Sequence, residues 1–276
     1  MNYEKTWQNA ISDHPDFEIS ELGWEQHVLI DHSKNLVYRY PRHLKAEHKL
    51  KNEVGILKIL NKIKFNVDIP ILLKHTDSYT VYKYIPGEVL TSDLINNLSD
   101  HRIQQIGKAL GEFLATLHSV PKSILQQKFY KQTISLIDYY RDHLKDSEIL
   151  RQNRKIDKFL QEISKNYIEL VVHGDLHGKN MVINPKTKKL VGIIDFSELE
   201  VGDPHQDFRK IFMSDERLLA SAVHKYQELT TRTLSINKIM TWAYVNEFAN
   251  LAHFYNQPEN LTHKRAYQNL KKWGQI

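Results

Sequence analysis

The segment His173–Asn180 reads HGDLHGKN and gathers a carboxylate, two imidazoles and an amide within one short bend. It is followed by two apolar runs, Met181–Ile183 and Leu190–Ile194, which flank the polar sequence NPKTKK. Apolar runs joined by such turn residues predict an antiparallel β-hairpin. Because Asp195 directly follows the second run, Asn180 and Asp195 should lie at the open end of that hairpin.

The side chains at that end suit a divalent cation. Pairing Ile183 with Gly192 places Asn180 opposite Asp195, with Cα atoms roughly 4.5–5.5 Å apart. An amide oxygen beside a carboxylate is a donor set that Mg²⁺ accepts, with phosphate oxygens and waters completing its octahedron. The alternative is a hairpin whose ends are merely polar, but it leaves the nearby Asp175 unexplained. We therefore predict Asn180 and Asp195 as ligands of Mg²⁺.

Asp175 lies in the turn after the apolar run Leu170–Val172. A carboxylate held on a rigid bend beside a metal site can orient a substrate hydroxyl and accept its proton. We predict Asp175 as the catalytic residue. His173 is expected to be structural, hydrogen-bonded to the backbone of the loop, and His177 stays unassigned.

A glutamate interrupts the apolar face of a helix predicted near Ala46–Lys62. Apolar residues recur on that face at helical spacing and leave one gap: Ala46, Leu50, Leu57 and Leu60. Glu53 fills the gap, and a buried carboxylate is costly unless it is paired. Arg39 alternates out of the apolar face of the strand LVYRYPR and is the expected partner. We predict an Arg39–Glu53 ion pair that directs Arg39 at nucleotide phosphates; a purely structural ion pair is the alternative.

Two types of element position these residues. Strands are predicted in the first 85 residues, in the runs Phe17–Leu22, Glu25–Asp31, Asn35–Pro41 and Tyr79–Ile85. Beyond Pro86–Glu88 apolar residues recur at a helical period, within Ile103–Leu117 and Ile156–Tyr167. The expected fold class is α+β, with a small antiparallel-sheet lobe that carries one main helix and a larger, mostly helical lobe. The predicted domains are residues 1–85 and 86–276, with a hinge at about 83–88.

The composition excludes several classes of site. The chain contains no cysteine, so it has no disulfide framework, thiolate nucleophile or Cys-based zinc site. Its net charge is +5, but Lys and Arg are spread along the chain without a basic tail or stripe. An anionic small ligand such as a nucleotide explains the excess as well as nucleic acid does, and nucleic acid is not expected as a partner. Without a membrane-length apolar run or an apolar N-terminal segment, we expect a soluble, cytoplasmic monomer with no membrane partner.

The sequence also resembles a known family. An Asp, an Asn after four intervening residues, and an Asp-Phe pair after a hairpin resemble the catalytic loop and metal-binding triplet of protein kinases. In the form HGDLHGKN followed by IIDFSELEVGDPHQDF, the chain resembles the aminoglycoside and macrolide phosphotransferases, antibiotic kinases with a protein-kinase-like fold. The resemblance covers most of the chain. It implies a bilobal fold, Asp175 as the catalytic aspartate, and Asn180 and Asp195 as Mg²⁺ ligands.

Two further aspartates, Asp203 and Asp207, match a family motif within GDPHQD. Asp203 is expected to cap a helix or to order a loop. Asp207 is expected to be structural or to lie near the substrate, with a solvated surface position as the alternative.

The nucleotide-binding half departs from the family pattern at two places. Arg39 stands where most kinase-like proteins carry lysine, although arginine keeps the charge and is bidentate. The candidate phosphate loop ELGWEQHVLI has only Gly23 where protein kinases have three glycines, and the Trp24–His27 backbone is expected over the phosphates. The connector VYKYIPGE resembles a hinge, where backbone groups of Tyr84 and Ile85 are expected to contact a purine. Nothing in it separates ATP from GTP.

The predicted reaction is Mg²⁺-dependent transfer of the γ-phosphoryl group of ATP or GTP to a hydroxyl of a small molecule. An aminoglycoside is a polycation, and the carboxylates of Glu198, Asp207 and Glu247 are candidates to bind it. A macrolide pocket would be apolar, and Trp242 belongs to an aromatic stripe in residues 241–259, although such stripes more often belong to a core. We rank an aminoglycoside acceptor first, a macrolide second, and a metabolite such as a choline-like compound or a sugar alcohol third. A nucleotide-binding protein without catalysis is the alternative of another class.

Overall fold

The computed structural model of the protein describes residues 2–20, 25–125 and 154–276. Its helices are α1 (Tyr3–Asp13), α2 (Leu44–Leu60), α3 (Ser92–Asn96), α4 (Asp100–Leu117), α5 (Arg154–Ser164), α6 (His205–Ser214), α7 (Glu216–Leu229), α8 (Ile236–His253) and α9 (Leu261–Lys272). Its strands are β1 (Glu18–Ser20), β2 (Gln26–Asp31), β3 (Leu36–Pro41), β4 (Leu72–His75), β5 (Thr80–Lys83), β6 (Glu88–Val89), β7 (Leu170–Val172), β8 (Met181–Ile183), β9 (Leu190–Ile193) and β10 (Glu200–Gly202). Short 3₁₀ segments occur at Lys122–Leu125 and Gly178–Asn180.

The N-terminal part is one antiparallel sheet in the strand order β1-β2-β3-β5-β4. Each of the four runs predicted as strands contains a strand. Strand β4 was not predicted, because its side chains are mostly exposed and show no apolar alternation. The helix α1 was also not predicted, since it buries only Trp7 and Ala10, which pack on Leu29 and Tyr40 of the sheet.

The main helix of this part, α2, crosses the sheet and carries Glu53. It begins where His43 Nδ1 accepts a hydrogen bond from the Ala46 backbone N–H at 3.2 Å, and it ends at Leu60, within two residues of the predicted bounds. Its buried face follows the predicted apolar stripe. The Glu53 side chain lies within that face and has no exposed surface.

The chain leaves the sheet through residues 84–90 and contacts the HGDLHGKN bend backbone to backbone. The strand β6 pairs with β8, with Glu88 opposite Ile183. The Leu90 N–H then donates to the carbonyl oxygens of Gly178 (3.1 Å) and Met181 (3.0 Å). A Cβ atom on Gly178 would lie 2.2 Å from the Leu90 oxygen, so only glycine permits this approach.

The strands β8 and β9 form the predicted hairpin, but the predicted register is wrong by one residue. Gly192 pairs with Val182 rather than with Ile183. The backbone oxygen of Asn180 accordingly accepts a hydrogen bond from the Ile194 N–H (3.0 Å), and Asn180 is not paired with Asp195.

A third segment of backbone causes the difference. The Asp68 N–H donates to the Val191 oxygen and the Asp68 oxygen accepts from the Ile193 N–H, both at 2.9 Å. Val191 is therefore bonded away from β8 and becomes the extra residue of a bulge in β9. A contact with a residue so distant in sequence leaves no trace in the local hairpin pattern.

The rest of the chain is mostly helical and surrounds a core that continues into the hairpin. Helix α4 packs along α7, and α8 packs against α5, α6 and α9. A small antiparallel sheet with one main helix, followed by a larger helical part, confirms the predicted fold class. Among the described helices, none combines the length and the apolar character that a membrane span requires.

Candidate active site

Asp207 of α6 binds the backbone of the bend that carries Asp175. The Asp207 carboxylate accepts the backbone N–H groups of His173 and Gly174, each at 2.9 Å, and Gly174 has the positive φ of +81° that the turn requires. His118 Nε2, at the end of α4, lies 3.0 Å from the same carboxylate. Burial alone would raise the pKa of Asp207, but these partners hold it below its usual value. Asp207 is thus a fully buried, ionised anchor of the bend.

Asp175 has both carboxylate oxygens engaged. Lys210 Nζ lies 3.0 Å from Oδ1, and His177 Nε2 lies 3.3 Å from Oδ2. Asn180 Nδ2 donates to the Asp175 backbone oxygen at 2.8 Å and reaches Oδ2 at 3.4 Å. Burial would raise the pKa of Asp175, but the hydrogen bond from His177 and the charge of Lys210 outweigh it and hold the pKa well below its usual range. Asp175 is therefore an ionised hydrogen-bond acceptor at neutral pH.

Sequence reasoning missed Lys210 and left His177 unassigned. Lys210 follows Asp207 by three residues on α6, and residues at this spacing share one face of a helix. That spacing, combined with an Asp207 that holds the bend, was the available signal. His173 does make the predicted bond to the loop backbone: its Nδ1 accepts from the Asp175 N–H at 3.3 Å, and burial lowers its pKa.

Asp195 and Asn180 each leave one oxygen without a hydrogen-bond donor from the described residues. Asp195 has φ +64°, and its Oδ1 accepts from the Ser197 hydroxyl (2.7 Å) and backbone N–H (3.3 Å), while Oδ2 accepts nothing. Asn180 uses its amide nitrogen on Asp175, which leaves Oδ1. Burial would raise the pKa of Asp195, but the charge of Arg39 and the Ser197 hydroxyl lower it. Two hard oxygen donors fit Mg²⁺, which keeps water and phosphate as its other ligands.

The predicted Arg39–Glu53 ion pair is present. Arg39 Nη1 lies 2.6 Å from Glu53 Oε2, and Arg39 Nη2 lies 4.0 Å from Asp195 Oδ1. Glu53 Oε1 also accepts the Phe196 N–H at 3.1 Å, directly after Asp195. Burial would lower the pKa of Arg39, but the charges of Glu53 and Asp195 raise it above its usual value. The pair thus joins α2, β3 and the end of the hairpin, and it keeps a guanidinium beside Asp195.

The connector offers fewer backbone groups than expected. The Tyr84 N–H donates to the Asn35 oxygen at 2.8 Å and is not open to a purine, which corrects that part of the prediction. The Tyr84 carbonyl remains, and the Ile85 N–H has no acceptor among the described residues. The Ile85 side chain lies over Gly192 of the hairpin, within 2.7 Å of where a Cβ would stand. Of the expected phosphate-loop segment, Trp24 falls outside the described residues, and the His27 ring stacks on Trp7 at 4.3 Å.

The structure does not bring the four candidate acceptor residues together. Glu198 Oε1 lies 2.6 Å from Lys49, and Asp207 is the buried anchor described above. Glu247 is fully buried and accepts hydrogen bonds from Asn250 (3.1 Å) and Asn269 (3.2 Å).

Trp242 has no exposed surface and packs in the core between α8 and α5, which favours a packing role. Asp203 lies apart from the bend. It accepts the His205 N–H (3.0 Å) at the start of α6 and binds Lys238 (2.7 Å), in keeping with an ordering role.

Comparisons with known proteins bear on this arrangement. A family model described as the phosphotransferase enzyme family matches residues 19–234. The GDP complex of wild-type aminoglycoside 2'-phosphotransferase-IIIa has a TM-score of 0.78 and 18% identity over 99% of this chain and 98% of that one. A macrolide 2'-phosphotransferase type I has a TM-score of 0.71 and 19% identity over 98% and 97% of the two chains. At these identities the solved structures establish the fold.

A curated relative extends the comparison to a longer protein. Acyl-CoA dehydrogenase family member 11 of Homo sapiens is 25% identical over 177 residues, which is 59% of this chain and 23% of that protein. The chain therefore spans about a quarter of the length of that relative.

Proposed function

The chain belongs to the phosphotransferase enzyme family, and from that premise we propose that it transfers the γ-phosphoryl group of ATP or GTP to a hydroxyl of a small molecule, with Mg²⁺ as cofactor. The observation that carries the proposal is the arrangement around Asp175. The ionised Asp175 carboxylate lies on a fixed bend next to Asn180. Asn180 and Asp195 each have one side-chain oxygen that accepts no hydrogen bond from the described residues. A proton acceptor beside a metal site is what transfer to a hydroxyl requires.

Asp175 would orient the acceptor hydroxyl and receive its proton. Its strongly lowered pKa makes it a weak base, so its contribution is mainly to hold the hydroxyl in line with the phosphoryl group. Lys210 and His177 would keep it ionised. The anchor Asp207 would fix its position through the backbone of His173 and Gly174.

Asn180 and Asp195 would hold the Mg²⁺ ion through their uncommitted oxygens. When bound, the ion supplies charge neutralisation at the phosphate oxygens. Arg39 would contact the phosphates, because Glu53 fixes it beside Asp195 and both charges keep it protonated. The Ile85 N–H and the Tyr84 carbonyl would contact the purine edge, and backbone groups of this kind suit both ATP and GTP.

Aminoglycosides and macrolides, the compounds in the names of the solved neighbours, are the first acceptors to test. Transfer of labelled phosphate from ATP and from GTP, with Mg²⁺, would be measured on both classes, with a choline-like compound and a sugar alcohol added. Asp175→Asn serves as the blank. We expect Mg²⁺-dependent transfer that the blank lacks. Equal transfer by the blank would refute the assignment of Asp175.

A further inference from the structure

Lys210 stands beside Asp175 on the side away from the metal-binding residues. It contacts Oδ1, whereas Asn180 and His177 approach Oδ2. A hydroxyl that donates to Oδ1, the oxygen that neither Asn180 nor His177 contacts, therefore approaches next to the Lys210 ammonium. Under the proposed function, the substituent beside the reacting hydroxyl would lie within a few ångströms of that charge.

The Lys210 ammonium has hydrogen-bonding capacity to spare. An ammonium carries three N–H donors, and within the part of the chain that the structure describes Asp175 is the only acceptor in contact with it. The side chain is 20% exposed, so bulk water reaches it only in part. A largely buried cation with donors left over is a position that favours an oxygen ligand from outside.

The surrounding charges add to this preference. Burial lowers the pKa of Lys210 and Asp175 raises it, while the guanidinium charges of Arg209 and Arg265 lower it further. Both positive charges therefore act on Lys210. Two acids of the neighbourhood are committed: Asp207 to the bend, and Glu247 to Asn250, Asn269 and, at 3.9 Å, to Arg265 Nε.

We infer that Lys210 is a specificity-determining residue that selects an acceptor with an anionic group, a carboxylate or a phosphate, next to the hydroxyl to be phosphorylated. This inference rests on the proposed function and names the acceptor class of that same site. An anion there takes the spare N–H donors of Lys210. An ammonium group at the same place meets the Lys210 ammonium, and like charges brought together discriminate strongly against a ligand.

Two matched series of compounds test the inference. The three-carbon series is glycerol, 2-amino-1,3-propanediol and glycerate, and the hexose series is glucose, glucosamine and glucuronate. Release of nucleoside diphosphate from Mg²⁺-ATP is followed as each compound is added, because an occupant of the acceptor site either takes the phosphoryl group or excludes water. The quantity compared is the concentration that produces half of the effect.

We expect the anionic member of at least one series to act at a concentration at least about tenfold below that of the cationic member. Lys210→Glu should reverse this order, and Lys210→Met should remove it, while Lys210→Arg should preserve it. Lys225→Met, a lysine of α7 paired with Glu228 at 3.1 Å, is the matched control and should change nothing.

Three results would overturn the inference. The cationic members could act as well as the anionic ones on the wild-type protein, or the anionic members could have no effect up to their solubility. Lys210→Met could also weaken the response to all members equally, which would show that Lys210 serves the transferred phosphoryl group. Absence of Asp175-dependent phosphoryl transfer to every acceptor, the aminoglycosides and macrolides included, would be the separate failure of the proposed function, and the inference would fall with it.

Discussion

Two carboxylates of the site, Asp175 and Asp195, differ in how their oxygens are used. Asp175 has partners on both oxygens, from Lys210, His177 and Asn180. Asp195 gives one oxygen to Ser197 and keeps the other without a donor from the described residues. A metal ligand needs an oxygen that nothing else occupies, whereas a proton acceptor needs a fixed position and a stable charge. The difference is the reason why we propose Asp195 as a metal ligand and Asp175 as the acceptor of the hydroxyl proton.

Each of the two carboxylates depends on a second, fully buried acid. Asp207, in the helical part, holds the bend of Asp175 through two backbone N–H groups. Glu53, in the sheet part, binds Arg39 and the Phe196 N–H that follows Asp195. The two parts of the molecule thus use the same device, an anion buried among fixed donors, to place two different functions.

The largest expected effect separates the two roles. Asp175→Asn should lower phosphoryl transfer by about 10²- to 10⁴-fold, because the proton acceptor is lost while the shape is kept. Nucleotide binding should stay close to that of the wild type, since Asp175 is not assigned to the metal. Labelled-phosphate transfer and equilibrium dialysis measure the two quantities. Turnover of Asp175→Asn near the wild-type rate would refute Asp175 as the proton acceptor.

Removal of a buried acid tests the shared device. Glu53→Ala leaves the Arg39 guanidinium without its partner and should lower the free energy of unfolding by about 3–5 kcal/mol. Glu112→Ala, on the exposed surface of α4, is the control and should change it by less than about 0.5 kcal/mol. Urea denaturation of both variants gives the comparison, and equal stability of the two would contradict the role given to Glu53.

Asp195→Ala should weaken Mg²⁺-dependent nucleotide binding. It removes one hard oxygen from the Mg²⁺ site, and we expect at least about a tenfold loss of nucleotide affinity with Mg²⁺ present. Affinity without Mg²⁺ should change little. Titration of a fluorescent nucleotide with and without Mg²⁺ shows whether the loss depends on the metal; a loss independent of the metal would count against Asp195 as a ligand.

The pH dependence distinguishes the charge of Lys210 from its shape. Burial works to raise the pKa of Asp175, and His177 and Lys210 lower it. Lys210→Met removes one of the lowering charges, so the pKa of Asp175 rises and the carboxylate becomes protonated at a higher pH. The acid limb of the transfer rate should then move to higher pH, whereas Lys210→Arg should leave it in place. An acid limb that stays in place in Lys210→Met would contradict this account of Asp175.

The smallest effect concerns the oxygen of Asp195 that is already occupied. Ser197→Ala removes one hydrogen bond to Oδ1 and should cost about 0.5–1.5 kcal/mol of Mg²⁺-dependent nucleotide binding, a change of a few-fold. The residue keeps its backbone N–H bond to Asp195. A loss as large as that of Asp195→Ala would mean that Ser197 does more than orient the carboxylate.

The parts of this site that follow local periodicity were predictable. The pairing of Glu53 with Arg39 followed from one acid in the apolar stripe of a helix and one base on the neighbouring strand. The hairpin was also predictable, but its register was not, because Asp68 bonds to β9 from a distant part of the sequence. Residues whose role arises only when helices pack, such as His118 on Asp207, give no local signal.

The candidate acceptor residues were predicted from residue type alone, and residue type does not reveal pairing or burial. Counting carboxylates in sequence does not reveal which of them are already paired, and Glu198 and Glu247 both have partners. An aromatic stripe likewise does not reveal which face of a helix is buried, and Trp242 lies wholly inside. Partner choice and burial are properties of the packed molecule, so these assignments required the structure.

The close approach of Leu90 to Gly178 has a consequence for the size of the nucleotide. Leu90 lies five residues after Ile85, and its N–H donates to the carbonyl oxygens of Gly178 and Met181, which flank Asn180. Under the proposed function, the backbone from Ile85 to Leu90 would therefore set the distance between the purine contact and the phosphate contact. A side chain at position 178 would push Leu90 away from the turn and lengthen that distance. A single methyl group there would therefore disturb the fit of the whole nucleotide rather than the contact of any one atom.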